Sequence, residues 1–302
     1  MNLLAIIIPY YKFTFFEESL QSLSNQTDKR FKVYIGDDAS PENPAALLEK
    51  YKDKFEFTYH RFSENLGSIS LTKQWERCIA LSKDEEWLMI LGDDDYLSDN
   101  YIEEFYNYID EIKKMKINVI RFATKEINQE GIISATYTHP KIEDATDSFY
   151  RKIFKRSRAS LSEHIFKREA YLKHGFHNFP LAWGSDDFAW LVFTDFGKIY
   201  TINKALAYFR ISSENISRKG YQEEIKNETK YVYISLIIKK YLKKFEKKQR
   251  VQFLFYYEQM TYTLNKTSFR FWFRMCKTFF LENELIQIIK FNRRMLINHF
   301  KK

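Results

Sequence analysis

The chain predicts an α/β fold on a mainly parallel sheet, followed by a helical extension, and three observations carry that reading. Up to Phe122, short apolar runs alternate with helical patterns, the signature of βαβ units with right-handed crossovers. Acidic clusters stand at the ends of apolar runs, the edge at which open α/β sheets bind ligands. From Tyr221 onward the pattern is helical to the end.

The elements are expected in this order. Residues 3–8 read as a buried strand, 15–24 as a helix, 31–35 as a strand, 44–52 as a helix and 55–62 as a strand. A turn at 65–67 opens a helix through 82. Strand 87–91, helix 99–114 and strand 117–122 follow. A hairpin or loop is expected around Gly131, a helix near 145–154, a strand at 163–166, and a short helix ending at Gly175. A helix from 186 to 196 precedes two late strands, 199–202 and 205–211. In the extension, Ile225, Val232, Leu236, Tyr241 and Phe245 fit one helical stripe, and 250–262, 269–280 and 284–300 read as further helices.

Asp93-Asp94-Asp95 follows the apolar run 87–91 through the single residue Gly92. Three adjacent carboxylates repel one another, and a hard cation such as Mg²⁺ or Mn²⁺ neutralises such a cluster. A divalent metal at a strand end suggests phosphate chemistry. The plainer reading is a solvated acidic turn that caps the next helix. Asp37-Asp38 follows the run 31–35 and precedes Ala39-Ser40-Pro41, which is turn and helix-start chemistry. Asp186-Asp187 opens the apolar segment 188–196. Either pair alone reads equally as a helix cap, because an Asp charge suits a helix N-terminus. Three acidic clusters, each at the edge of an apolar segment, are harder to explain as three caps.

With 302 residues, 45% hydrophobic, the chain can bury a real core in one or two domains. Only 8 Gly and 5 Pro are present, so no flexible linker is expected. Cys78 and Cys276 have no metal-ligand spacing and suit a reducing compartment. The apolar run 3–9 is too short for a signal-peptide core and lacks a basic start. No segment reaches the ~18–20 apolar residues of a membrane span. A cytoplasmic location is expected, peripheral on the inner face of the membrane. Residues 221–302 hold 18 Lys and Arg against 7 Asp and Glu, whereas the first 220 hold 30 against 33. The net charge of +8 therefore belongs to the C-terminal part, and the chain divides into an acidic domain, 1–220, and a basic, aromatic-rich helical region, 221–302. Aromatic and basic residues interleave in Phe269-Arg270-Phe271-Trp272-Phe273-Arg274. Such a stretch packs as a small bundle, lies among anionic lipid headgroups, or does both.

Taken together, the motifs resemble a family 2 glycosyltransferase of the bacterial surface-polysaccharide type. The matching pieces run in family order: Ile6-Ile7-Ile8-Pro9-Tyr10-Tyr11, Ser19 to Thr27, Ile35-Gly36-Asp37-Asp38-Ala39-Ser40, Asn65-Leu66-Gly67, Gln74-Trp75-Glu76-Arg77-Cys78-Ile79, Gly92-Asp93-Asp94-Asp95-Tyr96-Leu97, Gly184-Ser185-Asp186-Asp187 and Phe209-Arg210. The resemblance implies a GT-A fold, a Rossmann-like mixed sheet, with 1–220 as its catalytic domain. It also implies inverting transfer of a sugar from a nucleotide-diphosphate donor, UDP being the commonest carrier, to a hydroxyl of a saccharide or lipid-linked acceptor. By this resemblance Asp38, with Asp37 beside it, contacts the base, and Asp93 the ribose. Asp94, with Asp95 next to it, ligates Mn²⁺ or Mg²⁺. Asp187 is the general base, and Asp186 replaces the usual Glu. Pro9, Tyr11, Asn65 and Gly67 join the donor-binding set, and Arg210 helps hold phosphate.

Three departures stand out. Gly92 replaces the first acid of the commoner Asp-x-Asp-Asp form, which leaves the metal register open by one residue and weakens the case for Asp95. Ser212 stands where many members have His. Gly36 replaces a β-branched residue, permitting close backbone approach. The six histidines show no metal spacing, and Trp183 either stacks on an acceptor sugar or packs in the core. Tyr10 and Tyr11 flank the base or fill the first turn. Two rival readings are a nucleotidyltransferase and a protein that docks nucleic acid or an anionic surface through its basic C-terminal part. Against the first, Pro9-Tyr10-Tyr11-Lys12 has no glycine. Against the second, the acidic body carries the organised motifs, so no nucleic-acid partner is expected.

Overall fold

The structure is a computed structural model that describes residues 3–154, 157–212 and 223–300, with the side chains of 299 and 300 excepted. The chain separates into two compact units, Met1–Tyr221 and Gln222–Lys302. The boundary expected at 220/221 falls on residues outside those described.

The first unit is a mixed sheet with helices. Strand β1 (Leu4–Tyr10) runs between β2 (Phe31–Asp37) and β4 (Trp87–Ile90), parallel to both, and β3 (Phe57–Arg61) extends the parallel set beyond β2. All four residues of β4 are buried, as expected for a parallel strand covered on both faces. At the edge, β3 carries Thr58, His60 and Arg61 outward. The sheet then turns mixed. Strand β9 (His164–Lys167) runs antiparallel to β4 and to β6 (Val119–Ile127), while β10 (Lys198–Arg210) is parallel to β6. Short strands β5 (Tyr96–Leu97) and β8 (Ile142–Asp144) pair antiparallel to β10, and β7 (Ile133–Tyr137) forms a hairpin on β6. The hairpin turn uses Gly131 at φ 78°.

The helices of this unit are α1 (Phe16–Ser24), α2 (Ala45–Tyr51), α3 (Leu71–Ile79), α4 (Tyr101–Lys114), α5 (Ala145–Ile153), α6 (Arg168–His174) and α7 (Ser185–Phe193). Ile6, Ile8, Val33, Ile35 and Met89 from the strands meet Leu20 of α1 in the main core. Each such buried side chain contributes about 1.5–3 kcal/mol. A Cβ on Gly36 would collide with Cys78 Sγ, so the missing side chain lets α3 approach β2.

Two expectations are corrected. The two late strands expected at 199–202 and 205–211 are one strand, β10, which ends at Arg210 and has a register slip between Ile202 and Leu206. Such an irregularity breaks the apolar alternation that marks a single strand. In the second unit, Ile225 and Val232 are exposed, and Tyr233, Ile234, Ile237 and Ile238 are buried instead. A five-residue π-turn, Ile237–Tyr241, follows α8 (Glu223–Leu236) and breaks the simple 3.6 period. Helix α9 (Lys247–Thr263) starts with a reciprocal cap between Glu246 and Gln249. Ser268 caps α10 (Phe269–Leu281). Helix α10 packs on α11 (Leu285–Phe300) through the rings of Phe271, Phe279 and Phe291.

Candidate active site

The carboxyl ends of β1, β2 and β4 lie side by side, and the chain leaving each is tied to its neighbours. The Tyr11 and Lys12 N–H groups donate to Asp93 Oδ2 at 2.8 and 2.7 Å, so the turn after β4 holds the turn after β1. The Ser40 hydroxyl donates to Tyr11 O at 2.7 Å, and the Asp38 N–H to Tyr10 O at 3.0 Å. From α1, the Ser19 hydroxyl donates to Asp95 O at 2.6 Å. Pro9 lies past the last registered pair of β1 with β4, Ile7 with Ile90, where its missing N–H breaks no ladder bond with that strand. Tyr10 is buried against Phe16 and fills the turn, whereas Tyr11 is 39% exposed.

The acidic residues divide by what their oxygens do. Asp37 is fully buried, accepting from Ser40 N–H at 2.8 Å, Tyr59 OH at 2.5 Å and Arg61 at 2.7 Å. Asp38 accepts from the N–H groups of Leu66 at 2.8 Å and Gly67 at 2.9 Å, and pairs with Arg77. A Cβ on Gly67 would strike Asp38 Oδ2, which explains the glycine. Asn65 caps its own turn by accepting from Ser68 N–H at 2.9 Å. Asp95 accepts from the Arg210 N–H at 2.9 Å and from the Ser162 hydroxyl at 2.5 Å. Burial and the Asp94 charge push the Asp95 carboxyl up to about 7 and that of Asp93 up to about 6. Asp94 is the member of the triplet left partly exposed, with Oδ2 3.1 Å from Lys12 Nζ.

Three expected site residues have chain partners. Asp38, expected on the base, accepts from the 65–67 turn and pairs with Arg77. Asp95, expected beside Asp94 on the metal, accepts from the Arg210 N–H and the Ser162 hydroxyl, which leaves each oxygen one further acceptor position. Arg210, expected on phosphate, is 1% exposed, and its guanidinium donates to the carbonyls of Asp94, Asn128 and Gln129 and pairs with Glu18. It sets the shape of the acidic turn from behind. Among the described residues no group of three or more His, Cys, Asp or Glu converges as a ready metal cage.

Asp186 and Asp187 occupy the first turn of α7, entered through Gly184 at φ 80°. Leu181 and Ala182 just before it also sit at positive φ, 56° and 52°. Backbone of this kind costs about 1–3 kcal/mol per residue and gathers at functional sites. Both residues are partly exposed, though the Asp186 carboxyl is the more enclosed, and Asp187 Oδ1 lies 4.0 Å from Lys152 Nζ. Burial, then the Asp187 charge, pushes the Asp186 carboxyl up to about 7. Trp183 is partly buried ahead of them.

Residues 158–164 connect the two acidic regions. Ser162 accepts from Gly92 N–H at 3.2 Å and donates to Asp95. The Arg158 charge acts on both Asp95 and Glu163, and Glu163 in turn acts on Asp186. Lys152, beside Asp187, donates to Ala159 O at 2.6 Å. His164 next to Glu163 stacks on Trp190 of α7, ring centroids 4.3 Å apart. The triplet after β4 and the pair on α7 therefore flank one short segment. Lys12, Lys152 and Ser162 escaped the sequence reading because each is a single polar residue whose partners lie far along the chain. The described histidines are packed or surface groups: His139 and His164 are buried, and His174 pairs with Asp195. The His299 side chain lies outside the described set.

The family model for glycosyl transferase family 2 matches residues 5–170, more than half of the chain. The chain belongs to glycosyl transferase family 2. A curated relative is the poly(ribitol-phosphate) beta-N-acetylglucosaminyltransferase TarS of Staphylococcus aureus (strain Mu50 / ATCC 700699), 24% identical over 144 residues, which are 46% of this chain and 24% of TarS. The match thus spans about a quarter of the relative's length. The crystal structure of S. aureus TarS 1-349 in complex with UDP-GlcNAc superposes with a TM-score of 0.61 at 16% identity, covering 91% of this chain and 78% of that one. A mannosyltransferase from Pyrobaculum calidifontis, in complex with GDP-Man and Mn²⁺, gives a TM-score of 0.51 at 14% identity over 78% of this chain and 64% of that one. The expected GT-A fold, a mixed α/β sheet followed by helices, is the fold this family 2 chain has.

Proposed function

We propose that this family 2 glycosyltransferase moves a sugar, with inversion, from a UDP-sugar to a hydroxyl of a glycan or lipid-linked acceptor in surface-polysaccharide synthesis. The observation that carries the proposal is the grouping of the β1, β2 and β4 turns, with Asp94 left partly exposed, its neighbour Asp95 bound to Ser162, and Ala159 of the same segment bound to Lys152 beside Asp187. The choice of UDP follows the donor in the TarS complex. Poly(ribitol-phosphate), named for TarS, supports a hydroxyl-bearing polymer as acceptor.

The turns after β1 and β4 form the floor for the nucleotide diphosphate, with Tyr11 exposed beside it. Asp187 accepts the proton of the acceptor hydroxyl as that oxygen attacks the anomeric carbon. The new C–O bond forms opposite the breaking bond to phosphate, and the nucleoside diphosphate leaves with the electron pair. Such a base is worth ~10²–10⁴-fold. Asp186, with its carboxyl near 7, shares the proton load beside it.

Mg²⁺ is commonly held by one or two carboxylates together with substrate phosphates. Asp94 meets that requirement, and a cationic group, Lys12 Nζ, already stands against it. An ion held there would supply positive charge against the departing diphosphate. Lys12 adds a second cation on the same side. We place the reaction at the inner face of the membrane.

The test is a panel of sugar nucleotides, with and without Mn²⁺ and with a polyol or saccharide acceptor, scored by nucleotide release. Metal-dependent release from a UDP-sugar is expected. Absence of release from every donor overturns the proposal.

A further inference from the structure

Helices α10 and α11 each present two opposite faces. The inner face of the pair is Phe271, Met275, Phe279 and Phe291, all buried. Outward, α10 repeats apolar residues at helical spacing in Phe269, Phe273 and Phe280, and α11 does so in Leu285, Ile289 and Leu296. Phe269 is 75% exposed and Ile289 73%, values ordinary for a lysine but not for a row of large apolar side chains. Exposed basic residues interrupt the same face: Arg270 and Lys277 on α10, Lys290 and Arg293 on α11.

We propose that this outward face docks the helical unit onto an anionic lipid surface, lying in the plane of the interface. The inference deepens the placement of the enzyme at a membrane and rests on that reading. Charge decides between occupants. Only two acidic residues occur in 269–300: Glu282 is buried and paired with Arg250, and Glu284 pairs with Lys247. Two copies of this face would set basic residues against basic residues, which disfavours self-association. Anionic headgroups instead complement Arg270, Lys277, Lys290 and Arg293, while the Phe, Leu and Ile side chains enter the acyl boundary to a depth of about 5–10 Å. Among the described residues no helix is long and apolar enough to cross a membrane, so the helices of the pair lie on the bilayer rather than span it.

The full chain is sedimented with vesicles of phosphatidylglycerol and phosphatidylcholine, and with vesicles of phosphatidylcholine alone. Binding is expected to be at least about tenfold tighter to the anionic vesicles and to weaken with salt. The double variant F273E/I289E, altered only at exposed positions, should lose about tenfold or more. The set R270Q/K277Q/K290Q/R293Q should lose about fivefold per charge on anionic vesicles alone. Circular dichroism checks folding, and nucleotide release with a soluble acceptor checks the transfer site separately. Normal vesicle binding with no sugar transfer would sink the enzymatic reading and leave this surface standing. Vesicle binding by F273E/I289E equal to that of the parent overturns the surface. So does a parent dimer, seen by light scattering, that this variant splits while neither binds vesicles.

Discussion

The turn after β2 and the first turn of α7 carry the same dipeptide, Asp-Asp, and use it in opposite ways. In Asp37-Asp38 the side-chain oxygens accept from backbone N–H groups, a tyrosine and two arginines. In Asp186-Asp187 the Asp187 carboxylate stays partly exposed beside Lys152. A buried carboxylate is tolerated only when it is paired and hydrogen-bonded, so the first pair holds the turns after β1 and β2 together, and the second is the pair proposed to act on the acceptor. The triplet after β4 contains both kinds: Asp93 and Asp95 hold neighbouring chain in place, and Asp94 looks outward.

The contrast can be broken most severely at Asp187. Asp187→Asn should keep donor binding, measured by calorimetry, and lose ~10²–10⁴-fold in turnover. Near-normal turnover would move the base to Asp186. The converse change, Asp38→Ala, should leave the part-buried Leu66 and Gly67 N–H groups and Arg77 without this acceptor. It should cost about 3–5 kcal/mol in denaturant unfolding. A fall in activity at unchanged stability would return Asp38 to the base-reading role.

A smaller effect tests the segment between the two acidic regions. Burial presses the His164 pKa down to about 4, against 6.5 for an ordinary histidine. Between those values the unfolded chain binds the extra proton, so this group makes stability fall as pH drops from 6.5 toward 4. Asp186, raised to about 7, has the opposite sign: its contribution is present at low pH and is lost as pH rises toward 7. His164→Asn should therefore remove about 2 kcal/mol of the destabilisation between pH 6.5 and 5, read from unfolding at both values. An unchanged slope would mean that His164 stays neutral in both states. The smallest effect is at Lys12. Lys12→Gln removes the cation paired with Asp94 and should tighten Mn²⁺ binding without donor by about fivefold, measured by paramagnetic resonance. Weaker Mn²⁺ binding would show that Lys12 does not compete for that carboxylate.

Much of this was readable from the chain because the signals are local. Strand β4 announces itself in four apolar residues, and Gly92 with three Asp residues marks where it ends. Helix α7 follows directly from its acidic start. Orientation was less legible: β9 lies between β4 and β6 and runs against both, and nothing in His164–Lys167 encodes direction. The chain partners of Asp38, Asp95 and Arg210 were also hidden. Arg210 and Asp95 meet across 115 positions of sequence, and Leu66 reaches Asp38 across 28. A motif gives the residue types at a turn, whereas the packing of distant segments decides which oxygens remain for a ligand.

Ser19 and Glu18 sit next to each other on α1, one fastened to the backbone of the acidic triplet and the other to Arg210, which grips the same triplet from the far side. Both holds start from neighbouring residues in the first turns of one helix, so unwinding the start of α1 would release the acidic turn and its arginine together.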